Sequence, residues 1–580
     1  MRVARLRMLR FRGFEDAALC LQDHVALVGE PRAGRTDVAT AIRRVLDPRS
    51  TAGRVDPLDV HRPTPAADEN TPPLTEVEVT LVDLGATLEQ LLDGRVEAIN
   101  PATGTPATGV DAATAVIGVR LCYRLRYDDV TGTGEHWVDY PKLSDPATGH
   151  FVRVPRVERE ALPFIALHRN PPLQLRAEGL LRGLIEDADP TAFATALDAL
   201  LGAVATATDG FSTTPVVREQ IAEVLNAGVA ELMELHGPDP EDRFSFVTED
   251  GSIAGLLRAV QPALDLDGAG PLPLSSHGST ATGILAAAEG AVSARAPESV
   301  VVVDDFGDDL DAAAAEYLAA NLRRNVGQLW LTTRRPEAVA AFLPEEVVRL
   351  TRSHGSRLHH QLPATKDRKE RGVRRQLHLL LLPAMTARTV VLLEGPHDLE
   401  GYRAVADRRL RVSGAAPPSA FGMRMIAPPG PDGGKERLPG LAKLAGELGF
   451  HVRAVLDNDG PGTDTSLLAT LQGLCEMVIR LPTRTAIERA LVAGLSEPAL
   501  RTTLGWLSGE YSLGIDASTV SAAALAKTAA SALKQKGGLH QPWVDALPAK
   551  NVPPIARDVI STVTGPAPVG GGLVNIADKP

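Results

Sequence analysis

The sequence predicts an α/β multidomain protein: two α/β units in series, the first split by a helical segment, with further helices at the C-terminus. Three observations predict this. Residues 24–46, HVALVGEPRAGRTDVATAIRRVL, read as an apolar strand, a glycine-bounded loop and a helix. Far downstream, residues 298–311, ESVVVVDDFGDDLD, form a second apolar strand that runs into acids. Later still, TVVLLEGPHD (389–398) and HVRAVLDNDG (451–460) are short apolar runs that each end in carboxylates. In a parallel sheet such strands deliver their last residues to one edge, where ligands bind.

At 580 residues the chain is too long for one core, and three or four structural units are expected. A hydrophobic share of 44% lets each bury a core, although aromatics are only 4%. The net charge of −12 excludes a non-specific polycation but leaves room for local basic grooves. Cys20, Cys122 and Cys475 are too scattered for a disulfide framework or a zinc site. The start, MRVARLRML, lacks the apolar core of a signal peptide. No run approaches the roughly 18 apolar residues that span a bilayer. The expectation is a cytoplasmic protein with no membrane partner.

In the first unit, Gly29 to Thr36 fits the phosphate-loop pattern G-x-x-x-x-G-K-[ST], with Arg35 in place of Lys. Gly29 and Gly34 let backbone N–H groups wrap phosphates, the following helix N-terminus favours their charge, and Thr36 can ligate Mg²⁺. Arg35 keeps the charge but replaces a compact ammonium with a planar fork. Asp304 and Asp305 end the strand at 300–305, a Walker B-like element in which Asp304 would hold Mg²⁺. By resemblance to related ATPases, Asp305 stands where they carry a water-positioning Glu, one methylene longer. Each segment also has a plainer reading, as a strand–helix loop or an acidic surface turn. Taken in order, the set resembles an ABC-type ATPase of the RecF and SMC kind. That resemblance places Ser276 and Gly278 of PLSSHGSTATGIL in the S-G-G-Q signature frame, although this stretch also reads as a loop. It places Asp311 at the D-loop, and Arg334 of LWLTTRRPEAV where the family carries its switch His. Changes at Arg35, Asp305 and Arg334 imply ATP with Mg²⁺ that is bound more surely than hydrolysed: a slow ATPase or a nucleotide sensor.

Between these motifs, 75–84 and 116–129 read as strands, and 61–73 and 100–110 as exposed loops. ALPFIALHRNPP (161–172) resembles the strand with a trailing Arg that closes the first ATPase lobe in OLD-type proteins. FATALDALLGAV (193–204) and the run at 216–235 carry helical spacing. They form a helical insertion too short for a long coiled-coil arm, and dimerisation is its expected use.

In the second unit, Glu394, Asp398, Asp457 and Asp459 are expected to converge, with Asp457 and Asp459 leaving their strand on the same side. Carboxylates so placed repel unless a divalent cation neutralises them, so the pattern reads as a Mg²⁺ or Mn²⁺ site. DNDG also suits a tight turn, and Pro461 argues against a calcium loop. E-G-x-x-D followed by a strand ending D-x-D resembles the Toprim signature of topoisomerases, bacterial primases and certain nucleases. Gly433, Gly434 and Lys435 fit that family's glycine-glycine-lysine turn.

A split ABC ATPase followed by Toprim resembles the OLD (overcoming lysogenisation defect) nucleases, the group that includes the Gabija antiphage nuclease subunit. The implied division is 1–168 for ATPase lobe I, 169–267 for the insertion, 268–362 for lobe II, 363–388 for a helical linker, 389–500 for Toprim, and 501–580 for a C-terminal helical region. The basic run KDRKERGVRRQLHLLLLPAM (366–385) fits a phosphate-backbone contact and a solvated charge run equally. The resemblance implies that Glu488 completes the metal site and that Lys550 stabilises the transition-state phosphate, although a helix-capping Glu and a surface Lys fit those positions too. It implies two-metal phosphodiester hydrolysis: Glu394, Asp457 and Asp459 on one ion, Asp398 and Glu488 on the second. Tyr402 is expected to pack. The implied function is a nucleotide-regulated DNA endonuclease in antiphage defence, a homodimer or larger homo-oligomer with a UvrD-like helicase as possible partner. An RNA-cleaving or tRNA-cleaving toxin, and an ATP-sensing scaffold acting through a partner, are the alternatives.

Overall fold

The computed structural model describes residues 1–21, 23–62, 74–128, 130–167, 182, 185–186, 188–224, 255, 257, 260, 262–265, 268, 270–293, 298–353, 355–429, 434–535 and 537–578. Gly433 and the trailing arginine at 169 lie outside them. The chain is a mixed α/β protein of two compact units. One comprises 1–166, 300–308 and 327–580; the other comprises 167–299 and 309–326. The expected second lobe at 268–362 is thus divided between them.

The larger unit opens with arginines and apolar residues in alternation. Arg2–Phe11 (β1) therefore buries Leu6 and Met8 and turns Arg5 and Arg7 outward. Phe14–Cys20 (β2), Val25–Gly29 (β3), Thr75–Val82 (β4), Glu97–Ile99 (β5), Val116–Asp128 (β6) and Thr133–Asp139 (β7) follow. All but β3 form an antiparallel sheet of order β2-β1-β4-β6-β5, with β7 beside β6. Phe164–Leu167 (β8) comes next, while Ala263–Leu264 (β9) and Leu272–Pro273 (β10) pair with each other in the smaller unit. Val300–Phe306 (β11), Gln328–Thr333 (β12), Val347–Ser353 (β13) and Ser356–Gln361 (β14) complete the second sheet, β14-β13-β3-β12-β11-β8. Here β3 lies parallel between β12 and β13, and β11 runs parallel to β12. Residues of β3 are buried throughout, as an inner strand covered on both faces requires.

The third sheet is wholly parallel: Thr389–Leu392 (β15), Met423–Ile426 (β16), His451–Leu456 (β17), Met477–Arg480 (β18) and Leu573–Asn575 (β19), in the order β16-β15-β17-β18-β19. The C-terminal helices Glu497–Glu510, Ala522–Gln535, His540–Ala546 and Pro554–Thr564 share its core. Trp543, Ile555 and Val559 cluster with Val391 and Ile479, and Trp543 donates from Nε1 to the Leu491 carbonyl at 3.1 Å. The region 501–580 is therefore not purely helical. Its strand β19 is three residues long, too short to show a period of two.

In the smaller unit, helix Pro190–Ser212 starts at Asp189, whose carboxylate accepts the N–H of Ala192 at 2.9 Å. Asp311 caps helix Ala312–Asn325 in the same way, accepting from Ala314 at 2.9 Å. By length and composition alone, Pro190–Ser212 is apolar enough to cross a membrane. It is not an uninterrupted apolar run, because Asp198 and Asp209 lie within it.

Candidate active site

Strands β15 and β17 are parallel neighbours, with Leu392 opposite Ala454. The residues just past their C-terminal ends therefore meet. Glu394 Oε1 accepts the backbone N–H of Asp457 at 2.8 Å. Helix Pro396–Ser413 begins at once, and Asp398 Oδ2 turns back to accept the N–H of Gly395 at 2.8 Å, closing the helix start. Glu488 opens helix Ile487–Val492, and its charge adds to the field that raises both Asp398 and Asp457. The structure thus brings together Glu394, Asp398, Asp457 and Glu488.

Burial and mutual repulsion set the electrostatics. Burial, then Glu394, pushes Asp398 up to about 7. Burial, then Asp398 and Glu394, drives Asp457 well above the ordinary aspartate range. Burial also raises Glu394, against the pull of Lys435 and of the Asp457 N–H. In Glu488 burial pushes upward too, but His540, the residue's own backbone and Lys534 together outweigh it, and this acid is lowered. Crowded oxygen donors held at such cost suit a hard divalent cation, which relieves the repulsion outright. By donor type, oxygen alone, Glu394, Asp398 and Asp457 are the residues that would hold Mg²⁺ or Mn²⁺, with Glu488 as a further acid.

Asp459 departs from expectation. Its side chain is 63% exposed and pairs with Lys435 Nζ at 2.9 Å. That ammonium also contacts Asp464 at 2.9 Å and Glu394 at 3.4 Å. Between Asp457 and Asp459, Asn458 forms an isolated antiparallel bridge. It exchanges backbone hydrogen bonds with Thr485 at 3.0 and 3.1 Å and donates from its amide to the Leu481 carbonyl at 2.9 Å. Motif reading missed the anchoring by Asn458 and the pairing of Asp464 with Lys435; the one signal was a third acid in DNDGPGTD. Lys550 is not brought to the site. It is exposed in a loop whose flanking carbonyls, Pro548 and Asn551, accept from Arg408 at 2.6 and 3.1 Å. Arg408 lies ten residues, roughly 15 Å, along its helix from Asp398. Tyr402 is buried, 1% exposed, as expected.

In the second sheet the phosphate loop joins β3 to helix Arg35–Leu46. Gly29 has φ +135°, and a Cβ there would stand 2.1 Å from the Leu350 carbonyl oxygen, so only glycine fits. Gly34, at φ +95°, precedes the helix. Thr36 Oγ1 donates to Asp304 Oδ1 at 3.2 Å, and Thr332 Oγ1 to the same oxygen at 2.6 Å. Thr36 and Asp304 are thus paired as ligands of a nucleotide's Mg²⁺ would be. Asp305 adopts φ +51°, and its N–H donates to Thr332 Oγ1 at 2.7 Å. Arg35 Nη1 donates to the Thr333 carbonyl at 3.2 Å, and Arg334 pairs with Asp308. Ser276, Gly278 and Asp311 lie in the smaller unit, Ser276 in a short 3₁₀ turn and Gly278 at φ +84°.

No protein-family model matches the chain. No curated protein matches it either. Solved structures do. A structure of the SMC head bound to the C-winged-helix domain of ScpA is 15% identical over 63% of this chain and 99% of that one, with a TM-score of 0.33. An SMC head domain with an extended coiled coil, bound to the C-terminal domain of ScpA and derived from Pyrococcus furiosus, is 12% identical over 62% of this chain and 96% of that one, with a TM-score of 0.32. The SMC head domain from Thermotoga maritima is 11% identical over 63% and 100%, with a TM-score of 0.28. The chemistry of the two sites follows from their own residues.

Proposed function

We propose that this chain is a nucleotide-regulated, divalent-metal-dependent phosphodiesterase that cleaves DNA, an OLD-type nuclease with an ABC-type ATPase and a Toprim unit. The observation that carries the reading is the meeting of Glu394, Asp398, Asp457 and Glu488 at one edge of a parallel sheet, where burial and like charge raise the first three. Divalent cations bound there would supply an activated water and stabilise the leaving oxygen. Glu394 and Asp457 hold the centre of the donor set, linked through the Asp457 N–H. Asp398, raised by burial and by Glu394, would be held ionised by the cation it ligates. Lys435 supplies a fixed positive charge beside Glu394 and Asp459, suited to a substrate phosphate. Thr36 and Asp304 support binding of ATP with Mg²⁺, and the departures at Arg35, Asp305 and Arg334 favour slow turnover. Nucleotide regulation requires that ATP bind two states of the protein unequally. A role in antiphage defence, homo-oligomerisation through the smaller unit and a UvrD-like helicase partner belong to the same reading.

The test is incubation of supercoiled plasmid, and separately of tRNA, with purified protein and Mg²⁺ or Mn²⁺, with and without ATP, beside Asp457→Asn. Nicking or linearisation by wild type alone supports the DNA nuclease. Cleavage confined to tRNA transfers the same site to an RNase. Equal cleavage by Asp457→Asn, or none on either substrate, removes the reading.

A further inference from the structure

The first turn of helix Pro396–Ser413 bears two sets of ligating side chains. Asp398 belongs to the carboxylate cluster. His397 and Glu400, three residues apart and so on a shared helix face, meet His540 instead. His540 begins helix His540–Ala546 and is fully buried, at 0% exposed. Neither of its ring nitrogens has a hydrogen-bond partner among the described residues. A buried polar atom left unpaired is destabilising, so an imidazole with both nitrogens without a hydrogen bond calls for a ligand.

The surroundings specify which. His540 Nδ1 faces Glu400 Oε2 at 3.8 Å, and Nε2 faces Glu488 Oε1 at 3.9 Å. Both are too long for hydrogen bonds. The His397 ring stacks on that of His540 with centroids 4.9 Å apart and planes 23° from parallel. One donor atom from each of His397, Glu400 and His540 lies within 4.8 Å of the others. Ligands on one ion with bonds of roughly 2.0–2.1 Å stand roughly 3.3–4 Å apart, a contraction that small side-chain rotations supply. Glu400 is already fixed, because its other oxygen accepts the N–H of Gln541 at 3.1 Å. Gly537 passes so close that a Cβ there would stand 3.3 Å from His397 Cε1.

We propose that His397, Glu400 and His540 form a second metal site, for Zn²⁺ or a similar ion that prefers imidazole, separate from the carboxylate site. Two imidazoles and one carboxylate select such an ion over Mg²⁺ or Ca²⁺, which prefer oxygen alone. An ion on Nδ1 leaves the Nε2–H of His540 directed at Glu488, the arrangement in which a carboxylate orients a ligating histidine. The site fastens the C-terminal helix His540–Ala546 to helix Pro396–Ser413. It does not depend on the nuclease reading.

Full-length protein stripped with chelator and titrated with Co²⁺ tests this, with a parallel melting series in Zn²⁺ or Mg²⁺. The expected result is saturable visible d–d absorption, unaffected by excess Mg²⁺, and a rise in Tm with Zn²⁺ but not with Mg²⁺. His397→Ala and Glu400→Gln, at partly exposed positions where folding should be preserved, should lose both signals. Asp457→Asn should keep them. Absence of the bands in wild type, or their persistence in both His397→Ala and Glu400→Gln, overturns the proposal.

Discussion

The Arg349 guanidinium donates to the carbonyl of Leu448 at 2.9 Å and so ties the sheet of the phosphate loop to the sheet of the carboxylates. Arg349 lies on β13 opposite Val28, one residue before Gly29. It donates also to the carbonyls of Met385 and Ala387 at 3.3 and 2.5 Å, and lies 3.6 Å above the centre of the Phe450 ring. Burial lowers it to about 10, and Glu30 at 3.9 Å works against that fall. Arg349→Met leaves these carbonyls without their donor. Stability should fall by roughly 2–4 kcal/mol, read from a urea unfolding midpoint. ATP should still bind but lose its effect on cleavage. An unchanged midpoint would show that the tie carries no energy.

Lys435 compensates Glu394, Asp459 and Asp464 together. In Lys435→Met those acids face one another bare. The chelated variant should lose about 1–2 kcal/mol, a modest figure because the group is partly solvated. Its Tm should rise more on adding Mg²⁺ than that of wild type. Equal increments in the two proteins would argue that Lys435 and the cation do not share a field.

His378 supplies a pH dependence. It lies 1% exposed in helix Arg368–Leu381, and burial pushes it down to about 4. The unfolded chain takes up this proton near pH 6.5, so between about 6.5 and 4 the unfolded state binds more protons than the folded one. The stabilisation is complete above pH 6.5 and lost as pH falls towards 4, by up to about 3 kcal/mol. His378→Leu should flatten this part of a stability–pH curve. A slope identical to wild type would place the titration elsewhere.

Lys550 stands in a loop pinned by Arg408, well along the helix from Asp398. Lys550→Ala should therefore cleave within about twofold of wild type, the effect expected of a surface substitution. A loss on the order of 100-fold, as when a group stabilising the transition state is removed, would return the lysine to the chemistry.

What the sequence determined was local. Apolar runs of strand length followed by acids fixed where Glu394, Asp457 and Asp304 would emerge, because a buried parallel strand must end where its polar residues begin. The glycines of 29–34 specified their loop because their backbone angles exclude a side chain. Other outcomes depended on distant partners. Asn458 is anchored by Thr485 and Leu481, and Asp459 is paired with Lys435, all of them distant in sequence. Strand β19 joined the parallel sheet through Val478 and Ile479, and no period can announce three residues. His540 met His397 and Glu400 only when the C-terminal helices packed around Trp543. Spacing along a chain encodes which side chains one element presents. Which elements face each other is decided by burying apolar surface across long separations, and that is a property of the whole fold.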